Sequence, residues 1–423
     1  MDNKEKIYVG YEWGKDYCQI SLISPASGKE PVLIPAITGG ENTRIPLLLA
    51  KKKGVEQWYF GEEAEQKITE GEAVAAEGFY EKAQNSEQII LEEKEYEAEL
   101  LMQMYLKKTF SLLLGYVPFQ KIDLITFCVD KITPKQVQLW KTLQKKFPFS
   151  EKKSSLISHS EGFACYVMTQ EETLWDRGVI LLDYDGSLLD IKSLEINKGT
   201  MPRIIKVDTL ASAELPKEDE TLFSLLKQVL EGKKAAMVYL VGTGFAESWY
   251  PNSLKLLCQG RRVFRGQNLY GMGALTYGKQ REEQKNRKYL YLGQEQVKLN
   301  FAVPAICRGQ KVDYELVSAE EHWYEAGGEL DVLLGESREL VFYVSGLYGG
   351  RQEIKLPLSE FPLREERASR LGLQISFTSE ETGIIKAEDL GFGEIYPATG
   401  KCWQQEIDLV QLAQQLAKAK QDT

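Results

Sequence analysis

From residue 7 to residue 60 apolar and polar positions alternate, with Gly and Pro between the runs, a period that predicts short strands joined by turns. Two segments share one plan. Ile7-Tyr8-Val9-Gly10-Tyr11-Glu12-Trp13-Gly14-Lys15-Asp16-Tyr17 leads into Cys18-Gln19-Ile20-Ser21-Leu22, and Gly178-Val179-Ile180-Leu181-Leu182-Asp183-Tyr184-Asp185-Gly186-Ser187 leads into Leu188-Leu189-Asp190-Ile191. Each is an apolar strand, an acid, a tight polar or glycine turn and a returning strand, which reads as a hairpin. Around the first, Phe60-Gly61-Glu62-Glu63-Ala64 opens a helix, Glu87 to Leu114 has helical spacing, and Leu124–Val129 is a buried strand. Thr133-Pro134 starts a helix with Thr as cap and Pro in the first turn; Leu156-Ile157-Ser158 is a short strand, and Ser160 to Gln170 the next helix.

The cycle then restarts. Strands are expected at 178–184, 188–196 and 200–207, a helix at 219–232, a buried strand at Ala236–Val241 ending in Gly242-Thr243-Gly244, a helix at 248–259, and a small-residue helix at Leu269-Tyr270-Gly271-Met272-Gly273-Ala274-Leu275. Residues 279–288 are dense in charge without apolar anchors and read as a linker. From Tyr289 to about Leu409 short alternating strands with Gly turns predict an all-β module, a sandwich. The tail, 410–423, reads as an amphipathic helix.

Charge narrows the partners. The formal net charge is −10 with acids and bases interspersed, which disfavours nucleic acid, because phosphate backbones need a basic surface. The N-terminus is polar and runs straight into a strand, and no apolar run approaches membrane-spanning length, so a membrane is not expected as partner. The six cysteines are scattered, most in apolar context, the usage of a reducing cytoplasm. With only two histidines, His159 and His322, the composition argues against a histidine-rich zinc site.

The doubled hairpins carry the candidate chemistry. Glycine turns let backbone N–H groups approach phosphate oxygens and carboxylates hold a cation, so the pair suggests a duplicated domain clamping a phosphate chain and a metal ion between its halves. The same acids also fit plain hairpin ends, since Asp favours turns.

In order, these motifs resemble the actin-like ATPase superfamily, most closely the nucleotide-binding domain of DnaK-type heat-shock chaperones. Gly10–Gly14 looks like its first phosphate loop, Asp183–Asp190 like its second and Gly242-Thr243-Gly244 like its adenosine-side turn. Ser158–Ala164 and Asn268–Ala274 are similar to the two connecting helices. Leu373–Phe377, Glu381–Asp389 and Thr399-Gly400-Lys401 resemble the chaperones' peptide-binding β-domain. The resemblance implies a two-lobed actin-like (ribonuclease H-like) α/β domain at 1–278, with lobe I at about 1–170 and lobe II at about 171–278, followed by the linker and a β-sandwich at 289–409. It implies ATP or ADP with Mg2+ as ligands. Glu12, Gly14, Lys15, Asp183, Gly186, Ser187, Gly242, Thr243 and Gly244 would contact nucleotide, Glu12, Asp183 and Asp190 would organise the metal, and His159 and Asp190 would stand at the catalytic positions.

The motifs also depart from the family's pattern. Glu12 replaces an Asp, Lys15 and Asp16 replace hydroxyl donors, Asp185 and Ser187 replace glycines of the second loop, and His159 stands where the family has its catalytic acid. The expectation is therefore a divergent DnaK-like protein, a pseudo-ATPase or weak ATP binder, whose β-module holds a protein or peptide segment and which works with co-chaperone-like proteins. An active ATP-hydrolysing chaperone and a small-molecule kinase of the same superfamily are the alternatives.

Overall fold

The structure is a computed structural model describing residues 6–24, 30–37, 39–147, 153–266, 268–283, 288–335, 338–347, 349–362, 364–365 and 368–421. It is mixed α/β with several sheets and divides into two units, Met1–Gly293 and Gln294–Thr423.

Two six-stranded sheets carry the first unit. In one, Ser154–Ser158, Leu124–Val129 and Tyr8–Trp13 run parallel, Tyr17–Ile23 and Val32–Ile34 continue antiparallel, and Ile45–Pro46 pairs with Tyr17–Ile23. In the other, Arg262–Arg265, Met237–Val241 and Val179–Tyr184 run parallel, and Leu188–Asn197 and Arg203–Glu214 continue antiparallel. The leading strands thus repeat the same order and the same directions. Apart from the exposed edge strand Arg262–Arg265, the parallel strands are buried on both faces, as crossover connections demand. Val179 and Leu181 join a core with Phe163 and Val167, whereas Ile180, Leu182 and Tyr184 join another with Leu222, Leu226 and Phe245.

Two helices are exchanged between the sheets. His159–Met168 follows a strand of the first sheet, yet its Phe163 and Val167 pack with Val179, Leu194 and Met237 of the second. Leu269–Glu283 follows the second sheet but lies on the first, where its Leu275 packs with Tyr8 and Leu124 and its Arg281 donates to Ser155 Oγ at 2.8 Å. Glycine permits the crossing: a Cβ at Gly10 would sit 2.1 Å from the Gly271 carbonyl oxygen, and one at Gly273 would sit 1.9 Å from that of Gly162.

The second unit holds two four-stranded antiparallel sheets. One runs Gln310–Val317, Leu299–Cys307, Glu339–Gly346, Arg351–Pro357, and the other Gly327–Leu333, Arg370–Phe377, Thr382–Asp389, Cys402–Asp408. Alternate residues such as Leu340, Phe342 and Val344, or Leu371, Leu373 and Ile375, are buried, the period of sheets with one face on a core. The helix Leu409–Gln421 adds Leu409, Leu412 and Leu416 to the buried residues.

Several elements differ from the sequence expectation. The stretch expected as a helix from Glu87 begins instead with a hairpin, Gln88–Leu91 and Lys94–Glu97, and turns helical at Ala98–Ser111. Its turn has Glu92 at φ 49° and Glu93 at φ 67°, and Ile89 and Leu91 are buried while Ile90 is exposed, which is strand alternation. The third strand of the second meander is longer than expected, Arg203–Glu214, and the helix expected at 248–259 is confined to Pro251–Leu257. Arg262–Arg265, an edge strand rich in charge, carries too little apolar pattern to be read from sequence. The first part of the expected linker at 279–288 is the end of the helix Leu269–Glu283, and 284–287 lie outside the described residues. Tyr289–Tyr291, expected to open the β-module, instead pairs parallel with Arg203–Glu214, so the first unit ends at Gly293 rather than at residue 278. The C-terminal helix begins at Leu409, with Asp408 accepting from the Gln411 N–H, and residues 422–423 of the expected 410–423 lie outside the described residues. Among the described residues no helix is long and apolar enough to cross a membrane.

Candidate functional site

The finishing ends of the two central strands, Tyr8–Trp13 and Val179–Tyr184, present Glu12 and Asp183, and the exchanged helices bring His159 and Tyr270 beside them. Glu12 is buried, and burial together with the negative charge of Asp183 pushes its carboxyl up to about 8, against the opposing effects of a hydrogen bond from Tyr17 and the positive charge of Arg44. Desolvation in the cleft likewise raises Asp183 to about 6, opposed by a 2.5 Å hydrogen bond from the Tyr270 hydroxyl and by the Lys192 charge. Asp190 stands directly across the hairpin from Asp183. Lys192, on the same strand, is buried with its ammonium 3.2 Å from Ser160 Oγ.

His159 is the first residue of its helix, which Ser158 caps by accepting from the Glu161 N–H. Its ring stacks on Tyr270 with centroids 3.7 Å apart and planes at 6°. Nδ1 lies 4.0 Å from Asp130 Oδ1, and the buried Nε2 has no hydrogen-bond partner among the described residues. Burial drives its pKa down to about 3, so the ring is neutral at ordinary pH and a weak proton acceptor.

The turns hold the remaining expected residues. Gly14 donates to the Tyr17 carbonyl at 3.1 Å to close the first turn, and Lys15 is exposed at its tip. In the second turn Gly186 takes φ 108°, and Asp185 Oδ1 accepts from the N–H groups of both Ser187 and Leu188 at 2.8 Å. These are the donors that a phosphate oxygen would require, and the turn's own carboxylate already holds them. Gly242, at φ 92°, passes so close to Tyr184 that a Cβ would sit 2.1 Å from its carbonyl oxygen; Thr243 donates to the Asp185 carbonyl at 2.7 Å, and Gly244 lies against the Tyr184 ring. Glu12, Asp183, Asp190 and His159 thus stand close enough to interact or share partners, Gly242-Thr243-Gly244 is seated on the second turn, and Gly14 and Lys15 belong to the first turn alone. Beside them is a cavity of about 280 Å3, with Gln19, Thr43 and Arg44 on one side and Gly242, Arg265 and Asn268 on the other. Gln19 spans it, donating to Asn268 Oδ1 at 2.7 Å and to Thr43 at 3.1 Å.

Residues 30–294 match a family of unknown function (DUF5716), C-terminal, and residues 296–409 match a domain of unknown function (DUF8552). The chain belongs to the DUF5716 family. The junction between the two matches coincides with the structural division after Gly293. No curated protein matches the chain.

In this DUF5716 member, sequence reasoning missed Tyr270, Lys192, Tyr17, Arg44 and Asp130. Lys192 had a usable signal: two places after Asp190 on a strand, it shares that residue's face. Tyr270 is the bulky residue in an otherwise small-residue run, a sign that it fills space which the glycines leave. Magnesium with a polyphosphate fits this donor set poorly. Asp183 is engaged by Tyr270, the second turn's amides are taken by Asp185, and no cluster of three metal-binding side chains occurs among the described residues.

Proposed function

We propose that the first unit is a divergent actin-like ATPase domain of the DnaK type that has become a non-hydrolysing scaffold, and that the second unit is a β-sandwich that binds a protein segment. The repeated strand order with exchanged helices supports the fold reading. The observation that carries the loss of turnover is the Asp185 carboxylate bound to the Ser187 and Leu188 amides. A carboxylate in a phosphate loop both consumes the donors and repels the ligand. His159, neutral and stacked on Tyr270, lacks the freedom and basicity to orient and deprotonate water. The cavity beside Gly242 leaves room for a weakly held ligand, through which closure of the two halves can shift a population without turnover. Among the described residues the sheets of the β-unit end on edge strands such as Arg351–Pro357 and Cys402–Asp408, and a sheet edge suits strand addition by a partner segment.

Calorimetric titration with magnesium-ATP and single-turnover hydrolysis test this reading. Wild type is expected to bind at best weakly and to release no phosphate, while Asp185→Gly, which frees both amides, binds at least roughly tenfold more tightly. Micromolar binding by wild type together with a hydrolysis rate abolished in Asp190→Ala would overturn it in favour of an active ATPase.

A further inference from the structure

The second sheet has a chemistry of its own at its starting edge, opposite the cleft. Parallel register sets Val179 beside Met237 and Met237 beside Arg262, so the turns that enter these three strands are neighbours. Each turn carries cations just before its strand: Arg177, then Lys233 and Lys234, then Arg261. The backbone fixes the three turns together, with the Ala236 N–H donating to the Gly178 carbonyl at 3.0 Å and the Arg262 N–H to the Ala236 carbonyl at 2.9 Å. The four cations and Gln259 line a hollow of about 190 Å3.

These charges are poorly neutralised from within. Lys233 lies 3.3 Å from Glu195, while Arg177, Lys234 and Arg261 form no ion pair among the described residues, and the nearby Asp176 is engaged by Lys198 at 3.8 Å. In a chain of net charge −10, such a concentration of cations on one hollow is against the background and is self-repelling when empty. A multiply charged anion relieves it, and two guanidinium forks with two ammonium groups match the oxygens of clustered phosphates better than a lone carboxylate.

We infer that this hollow binds a clustered-phosphate group, as a soluble polyphosphorylated molecule or as a phosphorylated lipid headgroup. The site is separate from the cleft: Val179–Tyr184 spans six residues, so the hollow and Asp183 stand at opposite ends of one strand, roughly 15–20 Å apart. The inference does not depend on the reading of the cleft.

The test is calorimetric titration of the full chain with tripolyphosphate, alongside sedimentation with phosphatidylcholine vesicles containing phosphatidylinositol bisphosphate. Saturable tripolyphosphate binding is expected, weakened roughly 3- to 10-fold by Arg261→Gln or Lys234→Gln, unchanged by the remote Lys107→Gln, and weaker at high salt. Vesicle capture that is lost in an Arg177→Gln, Lys234→Gln, Arg261→Gln triple variant, without soluble binding, assigns the site to a lipid headgroup. Binding to neither probe, or binding that the variants and Lys107→Gln reduce equally, overturns the inference.

Discussion

Asp389 in the β-unit and the Glu12–Asp183 pair in the cleft are carboxylates that their surroundings treat oppositely. In the β-unit, Asp389 is buried and receives both guanidinium nitrogens of Arg364 at 2.7 Å, the Thr399 hydroxyl and N–H, and the Gly391 N–H. Burial acts to raise its pKa, but the Arg364 and Thr399 donors override it and hold the carboxyl below the usual range. In the cleft, Glu12 and Asp183 have tyrosine hydroxyls and more distant positive charge in place of a bidentate guanidinium, and desolvation prevails. Burial alone therefore says little about a carboxylate; the number and charge of its donors decide whether it serves as an anchor or as a proton store. Asp389 locks the loop between Gly391 and Thr399 to its strand. In the cleft, burial and, for Glu12, the charge of Asp183 disfavour the doubly ionised state.

The comparison breaks most visibly at its strong end. Arg364→Ala leaves the Asp389 charge uncompensated and is expected to cost about 3–5 kcal/mol, read as loss of hydrogen-exchange protection along Thr382–Asp389. Near-wild-type protection would mean that Thr399 and the backbone suffice. Tyr270→Phe removes the donor to Asp183 and is expected to cost about 1.5–3 kcal/mol in chemical denaturation while moving the Asp183 titration upward, followed by carboxyl NMR. An unmoved titration would sink the role given to that hydroxyl. The pH responses sharpen the contrast. Glu12, raised from 4.5 to about 8, keeps in the folded state a proton that the unfolded chain releases in that window. Its contribution is present below the unfolded value and is lost as pH rises toward 8, by at most roughly 1.4 kcal/mol per pH unit. Asp389, lowered, contributes above its unfolded value and loses that contribution as pH falls through its folded one. Glu12→Gln should flatten the slope between pH 5 and 8 in urea denaturation and leave acid unfolding of the β-unit unchanged; a slope that survives the substitution would place the proton elsewhere.

How far the site was legible in the sequence can be followed residue by residue. Glu12, Asp183, Asp190, His159 and the Gly242 turn were visible as strand ends and turns, and the structure gathers them. The role of Asp185 was half legible: its replacement of a glycine signalled trouble for an anion, but its capture of the Ser187 and Leu188 amides is a matter of turn geometry. Tyr270 could not be assigned, because Asp183 is 87 residues away and meets it only through the helix exchange. The hairpin at Gln88–Glu97 was hidden because its apolar residues fit helical spacing as well as alternation, and only burial of Ile89 and Leu91 against exposure of Ile90 separates the two.

By itself the sequence determined the elements whose causes are local: the two hairpins with their acids and turns, the Thr133-Pro134 helix start, the buried runs Leu124–Val129 and Met237–Val241, and the alternating strands after residue 294. Tertiary structure alone decided that Tyr289–Tyr291 closes the first unit's second sheet, that Tyr270 stacks on His159 and donates to Asp183, and that Arg177, Lys234 and Arg261 converge on one hollow. The physical reason is range. Propensity, capping and periodicity act over a few residues, whereas these meetings follow from parallel register and from a helix crossing that depends on glycines far apart in the chain, Gly10 with Gly271 and Gly162 with Gly273.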